Sequence, residues 1–161
     1  MTIAAGQALP DVPVRVMKDG VPAVVSSAEL LNTGRVVLFA VPGAFTPGCS
    51  RVHLPGYKNH AKELSAKGVD TIACIAVNDV FVMNAWGEEH GVTEDIVMIA
   101  DPDAAFAKAV GLDIDVTDKG LGIRSQRYAM VIEDGVVVEL FPEADGLSVD
   151  GSTAECVLAT L

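Results

Sequence analysis

The stretch RVVLFAVPGAFTPGCS, residues 35–50, is an apolar run followed by a turn that is rich in glycine and proline. The run Arg35–Val41 is continuous, apolar and rich in β-branched residues, a pattern typical of a strand buried on both faces. Two glycines, two prolines and one cysteine follow within the ten residues 41–50. Because α/β sheets place their sites at the carboxyl ends of buried strands, the turn that contains Cys49 is the candidate site.

Strand and helix patterns alternate around this stretch. Further strands are predicted at 12–17, 21–25, 69–77 and 95–101, with a hairpin over 127–141. Helices are predicted at 27–32, 51–67, 80–90, from 102 onward and at 152–161. Pro55 is expected to bend or delay the helix 51–67. This order predicts a single α/β domain over residues 1–161, with a mixed central β-sheet flanked by helices on both faces.

The composition indicates one globular domain, since half of the 161 residues are apolar and 20% are charged. Eleven Lys and Arg against 22 Asp and Glu give a formal net charge of −11, which disfavours nucleic acid and anionic membrane surfaces as partners. The first residues show no basic segment followed by an apolar one, so no targeting peptide is expected. Apolar runs such as 36–42 are far shorter than a membrane-spanning helix, and a cytoplasmic location is predicted.

Three cysteines, Cys49, Cys74 and Cys156, lie in three different settings. Their odd number and wide spacing exclude a disulfide framework, a CxxC redox pair and a zinc ribbon. Thiol chemistry would therefore depend on one cysteine and on residues that folding brings near it. Cys49 is the best candidate, because free N–H groups and the dipole at the start of the next helix favour a thiolate. A turn rich in glycine and proline also argues against an inert, packed thiol.

Few residues near Cys49 carry a clear chemical signal of their own. Thr46 can donate and accept hydrogen bonds beside the sulfur, although a threonine in a turn is more often a backbone cap. His53 permits a Cys–His pair of the protease type, but a solvated histidine, or one behind the reacting groups, is favoured. A metal site that uses Cys49, His53 and His60 has unconvincing spacing, and no cofactor is predicted. Arg127 opens a late strand and is locally typical of a solvated surface charge.

The motif Pro42-x3-Thr46-x2-Cys49 resembles the active-site signature of the peroxiredoxins, and the residues between these positions are similar to those of the peroxiredoxin 5, or type II, subgroup. The similarity covers nearly the whole chain through segments such as HLPGY, ADPDAAFAKAVGL and SQRYAMV. The resemblance implies a thioredoxin-like fold and the reduction of hydrogen peroxide and organic hydroperoxides, with Cys49 as the cysteine that becomes a sulfenic acid. It also implies that Thr46 positions the peroxide, that Arg127 places its guanidinium beside the sulfur, and that the ring of Pro42 limits access of water. Members of the subgroup are usually homodimers, so a homodimer is expected.

The resemblance leaves open how the sulfenic acid is reduced. Animal members of the subgroup carry a resolving cysteine in the loop before the last helix, but residues 143–152, EADGLSVDGS, contain none. Cys156 lies further on, within the last helix, in a register that suggests packing. Cys74 matches the position of a second cysteine in plant type II members, yet it lies mid-strand, where a buried structural thiol is expected.

We therefore predict a cycle with one cysteine, in which glutathione, with a glutaredoxin, attacks the oxidised Cys49. The alternative is a Cys49–Cys74 disulfide that thioredoxin reduces, which would require local unfolding of the strand. A non-enzymatic thiol redox sensor or holdase on the same fold is a competing function, and a Cys–His hydrolase is a more distant one.

Overall fold

Nine strands and six short α-helices make up the chain, and the computed structural model describes all residues from Met1 to Leu161. The strands are β1 (Pro13–Lys18), β2 (Val21–Ser26), β3 (Arg35–Val41), β4 (Thr71–Ala76), β5 (Ile96–Ala100), β6 (Asp113–Asp115), β7 (Ile123–Ser125), β8 (Tyr128–Glu133) and β9 (Val136–Pro142). The helices are α1 (Ser27–Leu31), α2 (Leu54–Asn59), α3 (Ala61–Ala66), α4 (Val80–His90), α5 (Ala105–Ala109) and α6 (Ala154–Leu158), with a π-helical turn over Cys49–His53 and a 3-10 turn over Thr117–Lys119. None of these helices has the length and apolar character needed to cross a lipid bilayer.

Seven strands form one mixed sheet in the order β2-β1-β5-β4-β3-β8-β9. The central strands β3, β4 and β5 are parallel, whereas β8 runs antiparallel to β3 and β1 runs antiparallel to β5. The predicted mixed α/β sheet is therefore confirmed. The hairpins β1–β2 and β8–β9 turn at Asp19-Gly20 and Asp134-Gly135 as predicted, and all four turn residues have positive φ.

Strand β3 is buried on both faces, as its sequence predicts. Val37 and Phe39 belong to a cluster of 23 buried residues that includes side chains from α2, α3, α4 and α6. Val36 and Leu38, which point the other way, belong to a second cluster of 18 residues that includes side chains from α1 and α5. Helices therefore cover both faces of the sheet, and each face excludes water from a continuous apolar core.

The helix predicted over 51–67 starts earlier in the structure and is interrupted at two places. Helical backbone begins at Pro47 and passes through the π-helical turn Cys49–His53, whose end is marked by a hydrogen bond from the Leu54 N–H to the Cys49 carbonyl. Pro55 lies inside this continuous helical segment, directly after the π-helical turn, so the backbone is irregular next to the proline, as predicted. A second break, which was not predicted, falls at His60 between α2 and α3, where φ is −102° and ψ is 8°.

The start of α5 also differs from the prediction, which placed it near Pro102. Ala104 takes left-handed backbone with φ of 56°, so helical geometry cannot begin before it. The buried carboxylate of Asp101 then accepts hydrogen bonds from the N–H groups of Phe106 at 3.1 Å and Ala107 at 3.0 Å. These two bonds satisfy free donors of the first helical turn and fix where α5 begins.

The small antiparallel sheet of β6 and β7 has no counterpart in the sequence predictions. Each strand is only three residues long, which is too short for an alternating pattern to stand out. The segment leads the chain directly to the start of β8.

The topology places Arg127 beside the turn that follows β3. Ala40 of β3 pairs with Tyr128 of β8. Because these strands are antiparallel, Arg127, one residue before Tyr128, lies level with Val41 and the turn after it. This edge of the sheet therefore brings together Cys49 and Arg127, which are 78 residues apart in sequence.

Candidate active site

The turn between β3 and Cys49 is fixed by contacts of its backbone. Pro42 is buried, and the N–H of Ala44 donates to the side-chain carbonyl of Asn78, just after β4, at 2.9 Å. Phe45 has φ of 65°, a left-handed conformation that is uncommon for an aromatic residue, and its side chain is 51% exposed. The turn therefore presents the Phe45 ring to solvent while its backbone leads to a buried thiol.

The Cys49 side chain is fully buried, and two hydrogen-bond donors meet at its sulfur. Thr46 Oγ1 lies 2.8 Å and Arg127 Nη2 lies 3.2 Å from Sγ. The structure thus brings together three residues that the sequence motif and the resemblance single out, with Pro42 buried in the same turn. A sulfur that receives two donors, one of them cationic, is in a setting suited to a thiolate.

The Thr46 hydroxyl has two partners but only one proton. Its oxygen lies 2.7 Å from the Gly43 carbonyl and 2.8 Å from the Cys49 sulfur. When Cys49 is a thiol, its S–H can donate to Thr46 while the hydroxyl donates to the carbonyl. When Cys49 is a thiolate, the hydroxyl can turn and donate to the sulfur. The Thr46 hydroxyl can therefore rotate and donate to whichever of these two acceptors carries more negative charge.

Arg127 is buried, with an exposure of only 4%, and no carboxylate lies within ion-pair distance of its guanidinium. Its Nε donates to the Leu147 carbonyl at 2.9 Å, and its Nη1 donates to Nδ1 of His53 at 3.0 Å. The expectation of a solvated surface charge is wrong, because residues 143–152 cover the start of β8 and supply carbonyl acceptors there. The remaining Nη2 of the guanidinium donates to the Cys49 sulfur.

His53 is buried and neutral. Because a guanidinium can only donate hydrogen bonds, the His53 Nδ1 that faces Arg127 must be unprotonated. The ring proton is then on Nε2, which donates to the Ser152 carbonyl at 3.0 Å. Burial, opposed by that hydrogen bond, lowers the pKa of His53 from 6.5 to about 4. Of the two predicted settings for His53, solvated or behind the reacting groups, the structure shows the second: both ring nitrogens are occupied, and His53 contacts Arg127 and is not paired with Cys49.

Two residues that shape the site are missing from the sequence predictions. Ser152 accepts hydrogen bonds at its carbonyl from His53 and from the Tyr57 hydroxyl, the latter at 2.8 Å. Arg124 donates from Nη1 to the Pro42 carbonyl at 3.3 Å. Both residues act through contacts between distant parts of the chain, so local sequence gives no signal for them.

Comparisons with known proteins agree with this arrangement. The Redoxin family model matches residues 4–158. Peroxiredoxin-2E-2, chloroplastic, of Oryza sativa subsp. japonica is 47% identical over 163 residues, which cover 98% of this chain and 72% of that protein. The crystal structure of reduced Prx3 from Vibrio vulnificus in complex with H2O2 superposes with a TM-score of 0.93 at 50% identity, over 99% of both chains. Peroxiredoxin 5 from Alvinella pompejana superposes with a TM-score of 0.85 at 34% identity, over 98% of this chain and 97% of that one.

The chain belongs to the peroxiredoxin family. It is a peroxidase with a thioredoxin-like fold, as the resemblance implies, and its similarity to Peroxiredoxin-2E-2 and to peroxiredoxin 5 agrees with the predicted subgroup. A non-enzymatic sensor or holdase is therefore set aside. The Cys–His hydrolase loses its basis as well, because His53 bonds to Arg127 and Ser152.

All three cysteines of this peroxiredoxin are free. Cys74 is fully buried in β4, paired with Phe39 of β3 and Met98 of β5, and burial raises its pKa well above the usual value. Cys156, on α6, is only half-buried, and its thiol donates to the Asp150 carbonyl at 3.3 Å. Cys74 is thus buried, as its mid-strand position suggests, whereas the packing of Cys156 is partial.

The neutral tautomer of His53 is directly observable by NMR. In long-range 1H–15N spectra at pH 7, we expect the His53 ring to show a protonated Nε2 and an unprotonated Nδ1, and to remain neutral until the pH falls to about 4. The His53→Gln variant identifies its signals among those of the three histidines. Because the folded pKa lies below the ordinary 6.5, protons bind the unfolded chain preferentially between these values. Stability should therefore fall as the pH decreases from about 6.5 to about 4.

His60 provides an internal control for this titration. Its hydrogen bond to Glu63, with a further one to Glu155, raises the pKa of His60 above 6.5, so its signal should titrate on the opposite side of that value from His53. A His53 signal that titrates near 6.5 would contradict the hydrogen bonds assigned to its ring.

Proposed function

We propose that Cys49 is the peroxidatic cysteine for hydrogen peroxide and organic hydroperoxides. The sulfur of the thiolate gives an electron pair to one peroxide oxygen, and the O–O bond breaks. The other oxygen leaves with the bonding electrons, takes up a proton and becomes water or an alcohol, while Cys49 becomes a sulfenic acid. The observation that carries the proposal is the meeting of Thr46 Oγ1 and Arg127 Nη2 at the buried sulfur. The binding of H2O2 to the Vibrio vulnificus relative supports it.

Ionisation of a thiol alone gives little rate. For a cysteine whose pKa falls from about 8.5 to about 6, the thiolate fraction at pH 7 rises roughly 30-fold. Nucleophilicity falls with the pKa at a slope of about 0.4 to 0.5, which removes roughly 10- to 18-fold of that gain. The remainder is only about 2- to 3-fold, so most of the rate must come from donors that stabilise charge on the peroxide oxygens. We assign that task to Thr46 and Arg127, and the exclusion of water to the buried Pro42.

If Thr46 and Arg127 act on the peroxide oxygens, their loss should slow the reaction of Cys49 with peroxide far more than its reaction with an alkylating agent. Arg127→Ala and Thr46→Val should slow the reaction with hydrogen peroxide by roughly 100-fold, the cost of losing an aligned donor. Alkylation by iodoacetamide, which creates no such charge on a peroxide oxygen, should change much less. Stopped-flow fluorescence follows the peroxide step through Trp86, whose indole N–H donates to the Ser50 hydroxyl at 3.0 Å.

Thr46→Ser is the matched control, because it keeps the hydroxyl and should retain most of the peroxide rate. Equal losses in both reactions for Arg127→Ala and Thr46→Val would show that these residues act only through the ionisation of the thiol.

We further propose that glutathione, with a glutaredoxin, reduces the sulfenic acid. The thiolate of glutathione attacks the Cys49 sulfur, hydroxide leaves and becomes water, and a second glutathione releases Cys49 from the mixed disulfide. The absence of a cysteine from residues 143–152 and the burial of Cys74 both favour an external thiol. The alternative, a Cys49–Cys74 disulfide reduced by thioredoxin, requires part of β4 to leave its place between β3 and β5.

Intact mass after one equivalent of peroxide separates these two routes. We expect Cys74→Ser protein to gain one oxygen, then to exchange it for one glutathione, and to turn over like the wild type. Cys156→Ser, a change of the half-buried thiol, is the control. Loss of turnover in Cys74→Ser, together with loss of an internal disulfide seen in the wild type, would overturn the preference for glutathione.

We also propose a homodimer that uses the apolar surface around the turn. Phe45, Val52 and Phe81 are 51%, 52% and 64% exposed. Phe45 and Val52 flank Cys49 in sequence, and Phe81 follows the Asn78 turn that bonds to Ala44. An apolar patch of this kind is typical of an interface between copies.

Sedimentation velocity tests this pairing. The wild type should sediment as twice the 16.8 kDa chain, and Phe45→Glu should shift it toward the monomer. Val24→Glu, at a 63% exposed position on the far edge strand β2, should have no effect. A wild-type protein that sediments only as a monomer would overturn the proposal.

A cytoplasmic location remains part of the proposal. Three unpaired cysteines are typical of a reducing compartment. Two plant relatives are named chloroplastic, and that location is the alternative. Detection of the protein in a compartment other than the cytoplasm after cell fractionation would correct this assignment.

A further inference from the structure

Residues 143–152, here named the strap, contain two carboxylates that accept hydrogen bonds from the strap itself. Exposed Asp145 accepts from Leu147 and Ser148 in the middle of the strap, and buried Glu143 accepts from its end. Glu143 is only 6% exposed, and its Oε1 accepts hydrogen bonds from the backbone N–H groups of Asp150 (2.9 Å), Gly151 (2.8 Å) and Ser152 (2.8 Å). The Ser152 hydroxyl donates to the same oxygen at 2.7 Å. The Gly151 N–H also approaches Oε2 at 3.1 Å. No cation pairs with Glu143, so its charge is stabilised by these donors alone.

The strap reaches Arg127 at three points. The Gly146 carbonyl accepts from the Arg127 backbone N–H at 2.7 Å, and the Leu147 carbonyl accepts from its Nε at 2.9 Å. The third point is indirect: the Ser152 carbonyl accepts from His53, whose other nitrogen accepts from Arg127 Nη1. Two sides of the guanidinium are therefore set by the strap, and the remaining Nη2 points to the sulfur.

We propose that Glu143 is a positioning residue for Arg127: its carboxylate gathers the end of the strap, and the strap in turn fixes the guanidinium against the Cys49 sulfur. A carboxylate suits this task because it only accepts hydrogen bonds and one oxygen can receive several donors. A glutamine in its place would keep one acceptor oxygen but would lose the negative charge with which that oxygen holds its four donors, and it would turn an NH2 group toward the Gly151 N–H. The ends of the strap would then move, and the Ser152 carbonyl and His53 with them.

The ionised form of Glu143 is the one present at neutral pH. Burial raises the pKa of this carboxyl, but hydrogen bonds from the Ser152 hydroxyl and the strap N–H groups outweigh burial and hold the pKa below its usual value. The carboxylate of Glu143 thus accepts hydrogen bonds from the strap and not from the Arg127 guanidinium, whose Nη2 remains directed at the Cys49 sulfur.

The test rests on the proposed role of Cys49 and compares Glu143→Gln with Glu139→Gln. Glu139 lies outside the strap on β9, so its substitution makes the same change of charge and shape away from the site. We expect Glu143→Gln to lower the rate constant for hydrogen peroxide by roughly 10-fold or more, since small misplacements of an aligned donor are costly. Iodoacetamide alkylation should change by less than about 3-fold, because the thiol itself is untouched. Glu139→Gln should match the wild type in both.

A double-mutant cycle decides whether Glu143 acts through Arg127. In the Arg127→Ala background, Glu143→Gln should cause no further loss of peroxide rate, because the group it positions is already absent. Multiplicative losses, or equal losses in the peroxide and alkylation reactions, would overturn the proposal and leave Glu143 with a role in folding alone.

Ser152→Ala keeps the test open if Glu143→Gln does not fold. It removes one donor to the Glu143 carboxylate but keeps the backbone carbonyl that His53 uses, so it should lower the peroxide rate in the same selective way and to a smaller extent. An unchanged peroxide rate in a folded Glu143→Gln or, failing that, in Ser152→Ala would overturn the proposal. Cys49→Ser separates this result from the proposed function: peroxide consumption that survives this change would contradict the role of Cys49 itself.

Discussion

The Arg127 guanidinium is a buried positive charge with no carboxylate partner, and the rest of the site is arranged around it. Burial of a charge is costly unless its hydrogen bonds and its charge are both matched. The hydrogen bonds are matched by neutral acceptors, the Leu147 carbonyl and the His53 imidazole. Among the partners of the guanidinium, Cys49 is the one that can carry a negative charge. The thiolate that the proposed function requires and the guanidinium would therefore stabilise each other, and an acidic side chain beside Arg127 would weaken that coupling.

Small residues in the turn follow from the same constraint. A Cβ atom at Gly48 would lie 3.2 Å from Arg127 Nη2, and one at Gly43 would lie 2.8 Å from Arg124 Nη1. Two guanidinium groups thus pass close over the backbone of the turn. The glycines at 43 and 48 provide room for these cations. The turn is therefore shaped by its long-range partners as much as by its own conformational preferences.

Much of this could be predicted from sequence, and the limits have physical causes. Strand β3 was predictable to the residue, because a run buried on both faces is continuously apolar. The position of Cys49 in the turn after β3 was predictable from the same stretch. The burial of Arg127 and the neutrality of His53 were not, since both depend on the strap, which reaches them across the sheet edge. Strands β6 and β7 are too short for periodicity, and the π-helical turn shifts the start of the helix away from its apolar pattern.

The neutral imidazole of His53 keeps the charge around Cys49 independent of pH. With its proton confined to Nε2 and its pKa near 4, His53 adds no charge anywhere in the range in which cells operate. A guanidinium is a permanent cation in proteins. The field that these two side chains impose on the Cys49 sulfur is therefore the same in mildly acidic and mildly alkaline surroundings. An oxidative burst that also acidifies the cell would leave this pair of residues unchanged.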